Sequence, residues 1–178
     1  MSESGWEIVR PSFEKNVVYV KKYIKGLGID MGCGSCPLLE AMYHVDMSPQ
    51  PDCEAQIGKD DVFFVADATR FVPTTDADYV FSSHMLEDLP TVDDIIDCLL
   101  HWKRMIKVGG HIILLLPDMQ GGRYPTVAEG GNCSHRIDVG KPFILSILNR
   151  LKGLKLVQTD TIPLKESETI DVVFERIS

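Results

Sequence analysis

Three acids and two glycines stand where this chain could do chemistry. Asp30-Met31-Gly32-Cys33-Gly34 closes one apolar run, Asp46 closes the next, and Asp67 and Ser82-Ser83-His84 follow two more. Glycine has no side chain to hold a ligand away, so alternate glycines after an acid bring bare backbone up to a nucleotide-like cofactor. A carboxylate such as Asp46 offers two acceptor oxygens to a pair of hydroxyls. Cys33 and Cys36 form a Cys-x-x-Cys pair at the same place, the pattern of thioredoxin-like dithiol sites. His84, His135 and Asp118 are candidate bases for an acceptor that must lose a proton. Alone, the stretch Asp30 to Gly34 admits a dinucleotide, another nucleotide-like cofactor or a dithiol.

These residues need a scaffold, and the hydrophobic periodicity supplies one. Phe13, Val17, Val20 and Ile24 recur at helical spacing and break at Gly26 and Gly28, which predicts an N-terminal helix within residues 1–25. Strands are expected over Leu27 to Met31, Tyr43 to Asp46, Val62 to Val65 and Asp78 to Ser82, with Ser48-Pro49-Gln50-Pro51 closing the second. Thr91 reads as a helix cap with Asp94 reaching back to the cap amide; Ile95, Leu99, Trp102 and Ile106 form the buried stripe of a helix that stops at Gly109-Gly110. His111 to Leu116 is apolar without alternation, as in a central strand covered on both faces. Pro142 opens a further helix that Gly153 ends, and strands over Leu154 to Thr159 and Ile170 to Ile177 finish the chain. Such alternation predicts an α/β fold with a mainly parallel sheet, helices on both faces, and a ligand at the carboxyl ends of the strands. Gly32, Gly34, Asp46, Asp67 and Ser82 all fall on that edge.

The blocks Gly28 to Gly34, Val45 to Ser48, Phe64 to Ala68, Asp78 to Glu87 and Lys107 to Gly110 resemble, in order and spacing, a type 11-like domain of the class I S-adenosylmethionine (SAM) dependent methyltransferases. The resemblance runs from about Gly26 to Pro117, with weaker similarity beyond. It implies a Rossmann-like, seven-stranded, mainly parallel sheet with an antiparallel last strand, and SAM as cofactor. It also implies that Asp30, Gly32 and Gly34 hold the methionine part. Asp46 would take the ribose hydroxyls, Asp67 and Ala68 the adenine edge, and Ser82 would lie beside the methionyl group, with Met47 or Leu86 packed on adenine. Cys36-Pro37 replaces the family's third glycine, and only about two helical turns fit between Gly34 and Asp46, so the first helix is expected to be shortened. A dinucleotide site would want a glycine at Pro37 and an acid about 20 residues along, and neither is present. No tryptophan precedes Cys33, and Cys33, Cys36, His44 and Cys53 lack a second paired-ligand motif; both cysteines of the pair are expected to pack, and no metal is expected.

The chain has 178 residues, 44% of them hydrophobic, and a formal net charge of −8. That length suits a single domain over 1–178. The negative charge argues against a nucleic-acid footprint, and Lys15, Lys21, Lys22 and Lys25 read as a solvated face. No apolar run reaches the ~20 residues of a membrane span and Met1 to Gly5 lacks a leader pattern. An odd number of scattered cysteines points to reduced thiols and a cytoplasmic protein. The long segment 117–140 is expected to be a substrate loop or lid. Within it, Gly131 to Arg136 is similar to a segment of methyltransferase domains associated with glycan and cell-surface biosynthesis. Arg136 or Arg123 could bind an anionic acceptor, and Tyr124 could stack on a planar one or a sugar. The expectation is a methyltransferase acting on a small molecule or glycan, O-methylation before N-methylation, with His135 and His84 as candidate bases. The alternatives are a SAM-binding module acting through a partner protein and, more remotely, a Cys-x-x-Cys oxidoreductase.

Overall fold

A computed structural model of the protein describes residues 5–48 and 50–178. Pro49, expected in the turn after the second strand, and residues 1–4, expected within the N-terminal helical segment, lie outside the described residues. One sheet runs through the molecule: β1 Gly28–Met31, β2 Tyr43–Asp46, β3 Val62–Val65, β4 Ala77–Ser83, β5 Ile106–Pro117, β6 Leu154–Thr159 and β7 Thr169–Arg176. Their order is β3-β2-β1-β4-β5-β7-β6. β7 runs antiparallel to both its neighbours, and the other pairs are parallel. The chain steps outward from β1 to β3, then crosses to β4 on the other side of β1. That crossing opens a crevice beyond the carboxyl ends of β1 and β4.

Helices cover both faces: α1 Gly5–Val20, α2 Pro51–Glu54, α3 Val92–Met105 and α4 Lys141–Ile147. Along β5, Ile112, Leu114 and Leu116 pack with Leu99 and Trp102 of α3 and Ile144 of α4. Ile113 and Leu115 join Val17 and Val20 of α1 on the opposite face. Both sides of the strand are therefore dry, which is why its sequence does not alternate.

Three local differences from the sequence expectation have physical causes. Between β1 and β2 the chain makes turns only, so the shortening of the first helix goes to completion. Asp30 Oδ2 takes the Leu38 N–H at 2.7 Å, and Pro37 has no N–H to offer a helix. Second, α3 stops at Met105 and β5 starts at Ile106, because Ile106 pairs with Ala77 across a bulge and gives its carbonyl to Arg176. Third, Pro51 opens the single helical turn α2 inside what reads as a plain loop. At the head of α3 the Asp94 N–H donates to Thr91 Oγ1 (3.1 Å) and the Thr91 hydroxyl donates to Asp94 Oδ2 (2.6 Å). Asp94 thus braces the cap hydroxyl rather than the cap amide.

Candidate active site

Two cavities open at the carboxyl edge of the sheet, one of about 1050 Å³ and one of about 590 Å³. Gly32, Gly34 and His84 line both. The two spaces therefore meet over the turn after β1 and the end of β4.

The backbone of that turn is positioned by β2. The Gly32 and Cys33 N–H groups donate to Val45 O (2.8 and 3.2 Å), and the Gly34 N–H donates to Asp46 Oδ2 (3.0 Å). Gly32 and Gly34 have φ of +69° and +53°, values that side chains resist. A Cβ at Gly32 would meet Met85 Cγ at 2.7 Å, whereas one at Gly34 would enter open space. Asp46 Oδ1 also accepts the Ser48 N–H (3.3 Å) and the Gln50 side-chain amide (3.4 Å), both long contacts, while Oδ2 keeps a free lone pair. Across the larger cavity, Asp67 Oδ1 accepts from the Thr69 N–H (2.9 Å) and hydroxyl (2.7 Å). Trp102 of α3 donates to Ala68 O (2.9 Å) and so fixes that turn. Met47, 75% exposed, stands on the wall. Leu86 lies in the core instead, and Leu89, Pro90, Cys98 and Leu100 supply the apolar wall. Their only trace in the sequence is that Cys98 and Leu100 flank the buried stripe position Leu99.

Other candidate residues sit elsewhere. Asp30 is buried and lines neither cavity; besides the Leu38 amide, its Oδ2 is 3.6 Å from Nδ1 of the buried His44. Ser82 is buried too, its hydroxyl without a partner, and strand alternation turns Ser83 into the smaller cavity. Cys33 faces Cys53, Sγ to Sγ 3.7 Å, rather than Cys36. The contact with Cys53 and then burial push the Cys33 thiol up, and burial raises Cys36 against the pull of Arg10. Neither is held as a thiolate, contrary to what a dithiol site requires. Among the described residues, no group of three or more His, Cys, Asp or Glu is arranged to hold a metal ion.

The smaller cavity is walled by Ser12, Phe13 and Asn16 of α1, by Ser83 and Tyr124, and by the segment Glu166 to Thr169. His84 stands at its junction with the larger one, at φ +51°. Its Nε2 lies 3.1 Å from Thr169 Oγ1, and its Nδ1 lies 3.5 Å from Glu87 Oε1. His135 Nε2 approaches the same Glu87 oxygen at 3.6 Å. The His84 ring is set into the cleft floor, so protein surrounds it although 38% of the side chain stays open. That enclosure, with His135 behind it, pushes its pKa down to about 4. Burial, reinforced by the charge of Asp88, pushes Glu87 up to about 8. His135 is buried, lines neither cavity, and packs its ring 5.4 Å from that of Tyr124; burial lowers its pKa as well.

The segment after β5 is tied down at both ends. Arg123 sits in ion pairs with Asp118 (Nε to Oδ2, 2.9 Å) and Asp160, and donates to Ile162 O. Both Arg123 and Asp118 are thus engaged in holding the segment. Near its other end the Arg136 and Ile137 N–H groups donate to Glu87 O (2.8 and 3.2 Å). The Arg136 side chain is exposed and lines neither cavity. Tyr124 is the residue that this segment adds to the smaller cavity.

Residues 29–114 match the model of a methyltransferase domain family. The match, which covers 86 of the 178 residues, and the fold together support a class I SAM-dependent methyltransferase. The N-methyltransferase NodS of Bradyrhizobium japonicum WM9, solved with S-adenosylhomocysteine, is similar at 13% identity over 99% of this chain and 94% of that one, with a TM-score of 0.68. Magnesium protoporphyrin IX methyltransferase of Synechocystis PCC 6803, solved with SAM, is similar at 16% identity over 99% and 86%, TM-score 0.66. A third similar structure is the Burkholderia thailandensis 1,6-didemethyltoxoflavin-N1-methyltransferase, solved with 1,6-didemethyltoxoflavin and S-adenosylhomocysteine bound, at 11% identity over 98% and 80%, TM-score 0.68. At such identities the likeness is one of fold. No curated protein sequence matches the chain.

Proposed function

We propose that the chain binds SAM in the larger cavity and transfers its methyl group to a small-molecule or glycan hydroxyl held in the smaller one. The observation that carries this reading is the junction of the two cavities at Gly32, Gly34 and His84. The residues fit the cofactor: Gly34 leaves open space where a side chain would project, and Asp46 keeps acceptor capacity beside it. Asp46 would hold the ribose hydroxyls, Asp67 and Ala68 the adenine edge, Met47 and Leu89 the ring faces, and the backbone at Gly32 the methionine part. Asp30 would act at one remove, by fixing the turn through Leu38. When bound, SAM supplies an electrophilic methyl on a sulfonium whose thioether leaves without needing an acid.

This chain's residues then have two tasks: to hold the acceptor in line and to take its proton. Phe13 and Tyr124 offer faces to a ring, and Ser12, Asn16 and Ser83 offer polar contacts to a hydroxylated body. His84, neutral at physiological pH and open to the cavity, takes the proton. With Arg123 neutralised and Glu166 and Glu168 on the wall, the cavity favours an uncharged or cationic acceptor over an anionic one. The test is transfer of label from methyl-tritiated SAM to a panel of sugars, phenols and amines. The reading expects label on a hydroxyl, lost in His84→Gln with S-adenosylhomocysteine affinity retained. Binding without transfer to any acceptor would favour a module that works through a partner protein.

A further inference from the structure

Behind His84 stands a carboxyl group that the acceptor chemistry above leaves unused. Glu87 has no solvent exposure, and among the described residues neither of its carboxyl oxygens has a partner in full hydrogen-bond geometry, its own backbone N–H alone drawing on the carboxyl. Hiding a carboxyl without partners is costly, and a leucine would fill the same space without that cost. The oxygen Oε1 is aimed between two imidazoles, 3.5 Å from His84 Nδ1 and 3.6 Å from His135 Nε2. These distances exceed those of hydrogen bonds, and contacts of this kind tighten when a site closes on its ligands.

The arrangement sets the direction of the protons. Glu87 keeps its own proton at neutral pH; with that proton on Oε2, the carbonyl oxygen Oε1 has two lone pairs, one for an N–H from each ring. On the far side of His84, the Thr169 hydroxyl lies 3.1 Å from Nε2 and can donate to its single lone pair, a place that the acceptor hydroxyl takes over on binding. We propose that Glu87 is the positioning residue of the methyl-transfer site: it keeps the His84 proton on Nδ1 and that of His135 on Nε2, so that His84 presents a bare Nε2 to the acceptor. This rests on the reading of His84 as the base. The acceptor O–H bond breaks, the proton goes to Nε2, and the electron pair left on oxygen forms the bond to the methyl carbon as the carbon–sulfur bond breaks. Glu87 Oε1 receives the Nδ1–H of the imidazolium that results. His135, wedged between Glu87 and Tyr124, braces the carboxyl from behind.

Long-range proton–nitrogen NMR of the full chain, labelled with ¹⁵N-histidine, reads the tautomer of each ring without an acceptor; His84→Gln and His135→Gln assign the signals. The proposal expects hydrogen on Nδ1 of His84 in the native protein at neutral pH, and loss of that preference in Glu87→Leu. Native His84 with hydrogen on Nε2 overturns it, as does a preference unchanged in Glu87→Leu. The native spectrum decides even if the variant does not fold. Calorimetry with S-adenosylhomocysteine separates the two claims: failure of the native protein to bind would sink the cofactor reading, while binding with the wrong tautomer would sink only the role of Glu87.

Discussion

The Gly34 N–H donates to Asp46 Oδ2 across 3.0 Å, so the end of β2 holds the turn after β1 in place. Asp46→Ala removes that brace together with the proposed ribose acceptor. A lost hydrogen bond to a charged group is worth about 1.5–3 kcal/mol, so S-adenosylhomocysteine affinity should fall roughly 10- to 100-fold by calorimetry. Stability should drop by only about 1 kcal/mol in urea melts, since the amide can turn to water. Asp46→Asn, with one carbonyl oxygen left, should fall between.

Gly32 tests the same turn from its other side. An alanine at φ +69° is strained by about 1–2 kcal/mol, and its Cβ would push on Met85, itself a wall of the cofactor cavity. Gly32→Ala should lower the melting temperature and weaken S-adenosylhomocysteine binding together. In Gly32→Ala/Met85→Ala the 2.7 Å clash with Cγ is gone and only the 3.1 Å approach to the Cβ at position 85 is left, so binding should recover in part while the backbone strain stays.

The buried Glu87 makes stability fall as pH rises. Its pKa is raised from 4.5 to about 8, so between those values the folded chain keeps a proton that the unfolded chain has lost, and folding is progressively disfavoured. His84, lowered from 6.5 to about 4, acts with the opposite sign and offsets the fall below pH 6.5; His135, also lowered, adds to that offset. Above pH 6.5 the loss is unopposed, at about 1.4 kcal/mol per pH unit and so about 2 kcal/mol by pH 8. His84, His135 and the neighbouring Asp88 are the titratable groups that face or flank Glu87. Urea melts at pH 6.5 and pH 8 should show the decline in the native protein and little of it in Glu87→Gln.

Much of this architecture is legible in the residues. The unbroken apolar run His111 to Leu116 announced a strand dry on both faces, and the Asp and Gly residues ending successive strands announced the edge at which the cavities open. Side-chain direction within those ends was not legible. Asp30 and Ser82 stand at the right places in the chain but turn inward, because Leu38 and the sheet interior claim them, and Ser83 points outward instead. Periodicity could not find Glu87 either. It looks like any acid before a helix until the segment near His135 folds back over it through two backbone hydrogen bonds.

Arg123 is the anchor of the segment that carries Tyr124. Removing one partner of a buried ion pair costs about 3–5 kcal/mol because the remaining charges stay buried. Arg123→Met should therefore destabilise the fold by about 3 kcal/mol, less the part that the more exposed Asp160 recovers in water. Cofactor affinity should change little, because Arg123 lines neither cavity. Denaturant melts and calorimetry on the same samples check both halves.

The most direct measurement is a crystal structure grown with S-adenosylhomocysteine. The account predicts the ribose hydroxyls on the Asp46 carboxylate, adenine between Asp67 and Leu89, and the sulfur at the Gly32, Gly34 and His84 junction, facing the cavity of Tyr124. A ligand seated elsewhere, or one whose sulfur points away from His84, would contradict it.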